Sequence, residues 1–112
     1  MKVFPFRDVK AEDAGEGSSK LTVRWLITKE FGAPNFAMRL FEMESGGNSP
    51  FHAHAWEHEM FVLDGEGVVV SAEGQKPIRS GTVVFVPPDE KHQFKNTGKK
   101  TLRFLCLVPH HR

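Results

Sequence analysis

The chain has 112 residues and a mass of 12.6 kDa, the size of one domain. Fifteen Lys and Arg against 14 Asp and Glu leave a formal charge of +1, too small a surplus to suggest a nucleic-acid backbone as partner. With 39% hydrophobic residues in no long unbroken run, no membrane span is expected, and the single Cys106 excludes an internal disulfide.

Met1 to Arg7 bring a second charge too early for a secretory apolar core, so a cytoplasmic chain is expected. The domain divides into an arm and loop over 1–19, a barrel over 20–109 and a tail over 110–112. Lys10 to Ser19 are polar and glycine-rich and read as loop. Leu21, Val23, Trp25 and Ile27 alternate with Thr22, Arg24 and Thr28, the two-residue period of a half-buried strand. Asn35 to Met43 is apolar on both parities, a strand covered on both faces or lying in a partner interface. Glu44 to Pro50 reads as a turn. Short strands are then expected over Phe51–His54, His58–Leu63, Val68–Ser71, Thr82–Val86, Gln93–Lys95 and Leu102–Val108. Asp64-Gly65-Glu66-Gly67, Glu73-Gly74, Ser80-Gly81 and Asn96-Thr97-Gly98 separate most of them, and Pro87-Pro88 stops another. Many short strands with almost no helical period predict an all-β sandwich or small barrel.

Four of the six histidines fall between positions 52 and 92. On a strand, His52 and His54 share a face; His58 has the parity of Met60 and Val62, and His92 comes from a later segment. Four imidazoles gathered this way form a metal site, with nitrogen donors suited to zinc, copper, iron and nickel and able to hold manganese. Glu59 competes with His58 as fourth ligand, but its parity points it away from the others. His110 and His111 read as solvated tail residues.

The histidines lie in two motifs that resemble those of the cupins. Gly46, five residues, His52-Ala53-His54, three residues, His58, six residues and Gly65 match the first motif, with histidine where the family usually has glutamate. Gly81, five residues, Pro87-Pro88-Asp89, two residues, His92, three residues and Asn96 match the second, with Asp89 where glycine is usual. The resemblance implies a cupin-type jelly-roll β-barrel of two antiparallel sheets. It also implies a single-domain member with a four-histidine site at His52, His54, His58 and His92, similar to manganese-binding cupins.

One divalent ion is expected, manganese first, with iron, nickel, zinc or copper as alternatives. Four neutral imidazoles leave the ion its full charge, and in six-coordinate geometry two positions stay open for oxygens of a small-molecule substrate. The expected activity is an oxidoreductase of dioxygenase type; isomerase or lyase chemistry, or non-catalytic binding, are the alternatives. Phe104 and Cys106 share a face of the last strand with Leu102 and Val108 and are candidates for the pocket wall. Arg39 joins them if it points inward, where it could clamp a carboxylate, although an outward, snorkelling position is the favoured expectation. Apolar outer positions in 36–43, with Phe61 and Leu63, exceed the needs of one barrel and predict a homodimer.

Overall fold

The computed structural model describes residues 1–110; His111 and Arg112 lie outside the described residues. Nine strands follow in chain order: β1 (Glu12–Asp13), β2 (Ser19–Ile27), β3 (Phe36–Asn48), β4 (His58–Asp64), β5 (Glu66–Ser71), β6 (Gly74–Arg79), β7 (Val83–Val86), β8 (His92–Lys95) and β9 (Leu102–Pro109). Every pairing is antiparallel. The hydrogen-bonded path runs β6-β5-β8-β3-β9-β4-β7, and β2 followed by β1 is added beside β3. This is the expected all-β jelly-roll. None of the described helices is long and apolar enough to cross a membrane.

The 13-residue β3 makes the fold possible, because it belongs to both layers of the curled sheet. Phe36 to Met43 pair with β9, whereas Asn48 pairs with Lys95 of β8. Between them the register against β2 jumps from Leu21↔Met43 to Ser19↔Asn48, a bulge in which Gly46 takes φ +83°. Bulges bend a strand and sharpen its twist, and glycine takes positive φ at little cost. The first motif glycine therefore marks the place where the chain passes from one layer to the other.

The core lies between the layers. Leu21, Met43, Met60, Val62, Ile78, Val86, Phe94, Leu102 and Phe104 form one buried cluster drawn from seven strands. The two-residue period selects them: Leu102, Phe104, Cys106 and Val108 are all buried while their neighbours are only partly so. Each such side chain contributes about 1.5–3 kcal/mol when fully removed from water. On the inner face, cross-strand pairing sets Trp25, Arg39, Cys106, Met60 and Val84 in one row and Val23, Phe41, Phe104 and Val62 in the next. Those two rows line up the functional side chains described below.

Several expectations are corrected. The 10–19 loop contains β1, whose Glu12 and Asp13 pair with Val23 and Thr22. Much of the Glu44–Pro50 turn is the continuation of β3 through its bulge. Phe51–His54 is a loop with one isolated bridge, His52↔His92, not a strand. β6 is not among the expected strands; it contains Pro77, which the sheet tolerates since β6 is an edge strand. His110 is not a solvated tail residue: its backbone N–H donates to Asn35 and its ring bonds the Ala33 carbonyl at 2.8 Å.

Candidate metal centre

His52, His54 and His92 bring one ring nitrogen each to within 4.8 Å of one another. Two different constraints achieve this. His92 opens β8, and its backbone exchanges both hydrogen bonds with His52, at 3.1 and 3.0 Å. His54 is pinned by its carbonyl, which accepts from Asp89 N–H at 2.7 Å. Asp89 does so from φ +67°, the left-handed region where the cupin motif usually has glycine; aspartate tolerates it better than most residues. The departure from the motif thus keeps the turn and holds a ligand loop in place.

Carbonyl oxygens fix how two of the rings present themselves. His92 Nδ1 is 2.8 Å from the Glu90 carbonyl and His54 Nδ1 is 3.2 Å from that of Trp56. A carbonyl only accepts, so each Nδ1 carries the proton and each Nε2 offers its lone pair to the cluster. The indole of Trp56 stacks on His54 at 4.5 Å and 2°, which holds the ring plane.

His58 enters through this network. Its Nε2 lies 2.8 Å from His54 Nε2, and its Nδ1 lies 3.1 Å from both an Arg39 terminal nitrogen and Cys106 Sγ. Because His54 Nε2 is an acceptor, His58 donates from Nε2, and its Nδ1 then accepts from Arg39, which can only donate. The chain of bonds therefore runs one way, from Arg39 through His58 and His54 to the Trp56 carbonyl. For His58 Nε2 to face an ion its proton must move to Nδ1, and Cys106 Sγ is already in position to accept from it. The described arrangement accordingly groups three histidines, with the fourth hydrogen-bonded beside them. Glu59 pairs opposite Phe85 and Leu107 on the outer face, away from the cluster.

The donor set fits a divalent ion. Ring nitrogens about 2.1 Å from one ion stand roughly 3–4.2 Å apart, so the observed spread closes with small rotamer changes. Imidazoles bind ions only when neutral, and the surroundings favour that form at two of them, His58 and His52. Burial and then the Arg39 charge push His58 down to about 3. His52 is also lowered, by desolvation first and then by His54, His92 and Arg39. Burial pushes the Cys106 thiol up, with Arg39 opposing.

A stability consequence follows. A histidine in the unfolded chain titrates near ~6.5, whereas His58 in the folded protein does so near about 3. Between these values the unfolded chain binds the extra proton. The contribution of His58 is complete above the unfolded value and is lost as pH falls toward the folded one, by about 1.4 kcal/mol per pH unit. Ion-free protein melted at pH values from 7 to 5, above the carboxylate range, should lose stability steadily, and His58→Gln should flatten the slope. A melting temperature independent of pH over that interval would show that His58 is not buried neutral.

The cluster forms part of the wall of a cavity of about 320 Å³. The wall also includes Trp25, Phe41, Trp56, Phe94 and Phe104, with Arg39 and Cys106 beside His58. Phe104 and Cys106 take the inward positions suggested by strand parity. Arg39 points inward, not outward: it sits between Trp25 and Cys106 in the inner row and lies 5.2 and 4.8 Å from the Trp25 and Phe41 ring centroids. Glu12 and Asp13 border the same cavity, so carboxylates stand near the site where pattern alone showed none. The sequence held a signal for Trp25 and Phe94, which share parity with Leu21 and with His92. It held none for Trp56 in its loop.

Comparison with known proteins agrees with this geometry. The chain is 32% identical over 96 residues to an oxalate-binding protein of Thermotoga maritima, covering 82% of this chain and 78% of that one. Its fold matches that of the polyketide cyclase RemF from Streptomyces resistomycificus with a TM-score of 0.93 and 36% identity, over 100% of this chain and 81% of that one. A predicted oxalate decarboxylase of Thermotoga maritima shares the fold with a TM-score of 0.86 at 23% identity, over 98% and 100% of the two chains. Residues 39–108 match the family model described as Cupin domain. That span contains both glycine-and-histidine motifs and the whole histidine cluster, and the chain belongs to the cupin family.

Proposed function

We propose that the protein is a metal-dependent enzyme that closes rings on a small poly-carbonyl substrate. The observation that carries this reading is the combination of a histidine cluster with an aromatic-walled cavity bordered by carboxylates. Likeness to a polyketide cyclase across the full chain supports it. His52, His54, His92 and, after its proton shift, His58 would hold one divalent ion, manganese first. Such an ion would supply Lewis acidity, making the carbon between two substrate carbonyls more acidic.

The chain's own residues supply the rest. Trp25, Phe41, Trp56 and Phe94 confine a flexible chain in a folded shape and exclude water, which lowers the entropic part of the barrier. Glu12 or Asp13 takes the proton from the acidified carbon. That carbon then bonds to a third carbonyl carbon farther along the same chain, whose oxygen receives a proton, and loss of water completes the ring. No oxidant is consumed.

The expected dioxygenase activity is the second reading, since positions left open beside neutral imidazoles also suit dioxygen. One experiment separates the two: metal-loaded protein is incubated with a linear poly-β-ketone while dissolved oxygen and product mass are followed together. A ring-closed product lighter by one water, with oxygen level unchanged, is expected. Oxygen uptake with oxygen incorporated into the product would replace this reading by the second.

The homodimer remains part of the proposal. Cross-strand rows on the outer face run Leu105, Phe61, Val83 and Met38, Leu107, Glu59, Phe85, with Phe61, Val83 and Phe85 well exposed, whereas Leu40 beside Leu105 is already buried within the chain. β7 at the end of these rows is an open edge strand, and a second copy would cover both.

A further inference from the structure

We propose that Arg39 is the anion-recognising group of the cavity, so that the poly-carbonyl ligand, folded flat against the aromatic wall, carries a carboxylate beside its chelating oxygens. The inference rests on the reading above and names the substrate class for the same site.

The first support is an unpaired charge. Arg24 and Arg103, the other partly buried arginines, both lie 3.2 Å from the carboxylate of Glu42. Among the described residues Arg39 has no carboxylate within ion-pair distance, although it is drawn into the cavity. Glu12 and Asp13 border that cavity without pairing with it; Asp13 instead accepts from Gly15 N–H at 2.8 Å. A guanidinium withdrawn from water and left without a counter-charge is costly, and proteins pair such groups.

The second support is where its donors are committed. One terminal nitrogen serves His58 Nδ1 and Cys106 Sγ, each at 3.1 Å. Nε is buried with no hydrogen-bond partner, and the other terminal nitrogen makes no hydrogen bond among the described residues. The rings of Trp25 and Phe41 hold the guanidinium plane at 5.2 and 4.8 Å, a preorganised geometry. A planar group with an uncommitted terminal donor suits a carboxylate, and its contact with His58 sets that carboxylate close to the histidine cluster.

The third support is the surrounding wall. Its aromatic rings favour a flat apolar body, so a small, fully polar dianion would leave most of the cavity unfilled.

The test uses metal-loaded protein and two probes with the same ring: salicylate, which carries the carboxylate, and ortho-hydroxyacetophenone, its uncharged ketone counterpart. Both are titrated calorimetrically, with metal content measured on the same samples. Wild type should bind salicylate at least about tenfold tighter than the ketone. Arg39→Gln should weaken salicylate roughly 10- to 100-fold, as for one charge-assisted hydrogen-bonded contact, and the ketone less than about threefold. Arg39→Lys, which keeps the charge without the fork, should fall between. Equal weakening of both probes, or undiminished salicylate binding, would overturn the proposal. A wild type that prefers the ketone would do so without any variant. Failure of the enzymatic reading looks different: the probe preference would persist while poly-β-ketone is left unchanged.

Discussion

Replacing His92 by alanine should remove metal binding while leaving the barrel folded. The backbone of residue 92 would still exchange its two hydrogen bonds with residue 52, and β8 would still pair with β5, so the loss is confined to the imidazole. Groups that merely orient metal ligands are worth about 10–100-fold in affinity; deleting a ligand should exceed that, with apparent affinity falling more than ~100-fold. His52→Ala should behave alike, with even less effect on stability, because that side chain is exposed. Metal titration alongside a melting curve checks both. If the two variants kept full metal content, ligation by this cluster would be wrong.

Phe104→Ala should produce the largest loss of stability. The ring is only 2% exposed, stacks on Phe41 at 5.2 Å and contacts the tilted ring of Phe94 at 5.5 Å, where the two layers meet. Truncating a buried phenylalanine typically costs about 3–5 kcal/mol from lost transfer and the space left behind, against a total stability of roughly 5–15 kcal/mol. A domain of this size then melts about 15–30 °C lower. Phe85, 57% exposed on the outer face, offers the contrast: its truncation in the monomer should cost within about 0.5 kcal/mol. A Phe104→Ala variant that lost less than about 1 kcal/mol would mean that the core does not depend on this layer contact.

The parts of the fold readable from sequence are those whose period is local. β2 and β9 could be placed, with their inward faces, because Leu21, Val23 and Trp25 and then Leu102, Phe104, Cys106 and Val108 repeat every second residue. The histidine spacing pointed to a metal-binding cluster although His52 and His54 lie in a loop, since the bridge to His92 does the work assigned to a strand. What stayed hidden depends on partners distant in the chain. Glu12 and Asp13 carry no strand signal and are extended only because β2 pairs with them. Pro77 argues against β6 until its edge position is known. Arg39 looks like a surface residue in an apolar run; only the registers of β2 and β9 against β3 put it between Trp25 and Cys106, beside His58. The hydrogen-bond order that groups three histidines and leaves the fourth alongside depends on two carbonyls, an arginine and a thiol, and no spacing rule encodes it.

The central claim is that the histidines in the wall of the aromatic cavity hold one divalent ion. The most direct measurement is elemental analysis of protein purified at neutral pH without added metal, joined to a spectroscopic count of coordinated imidazole nitrogens. The account predicts about one divalent ion per chain, bound through imidazole, held at neutral pH and released only as pH falls well below the free-histidine value of ~6.5, because folding lowers both His52 and His58 from it. Protein that carries no ion and takes up none when titrated with manganese, iron, nickel or zinc would contradict it.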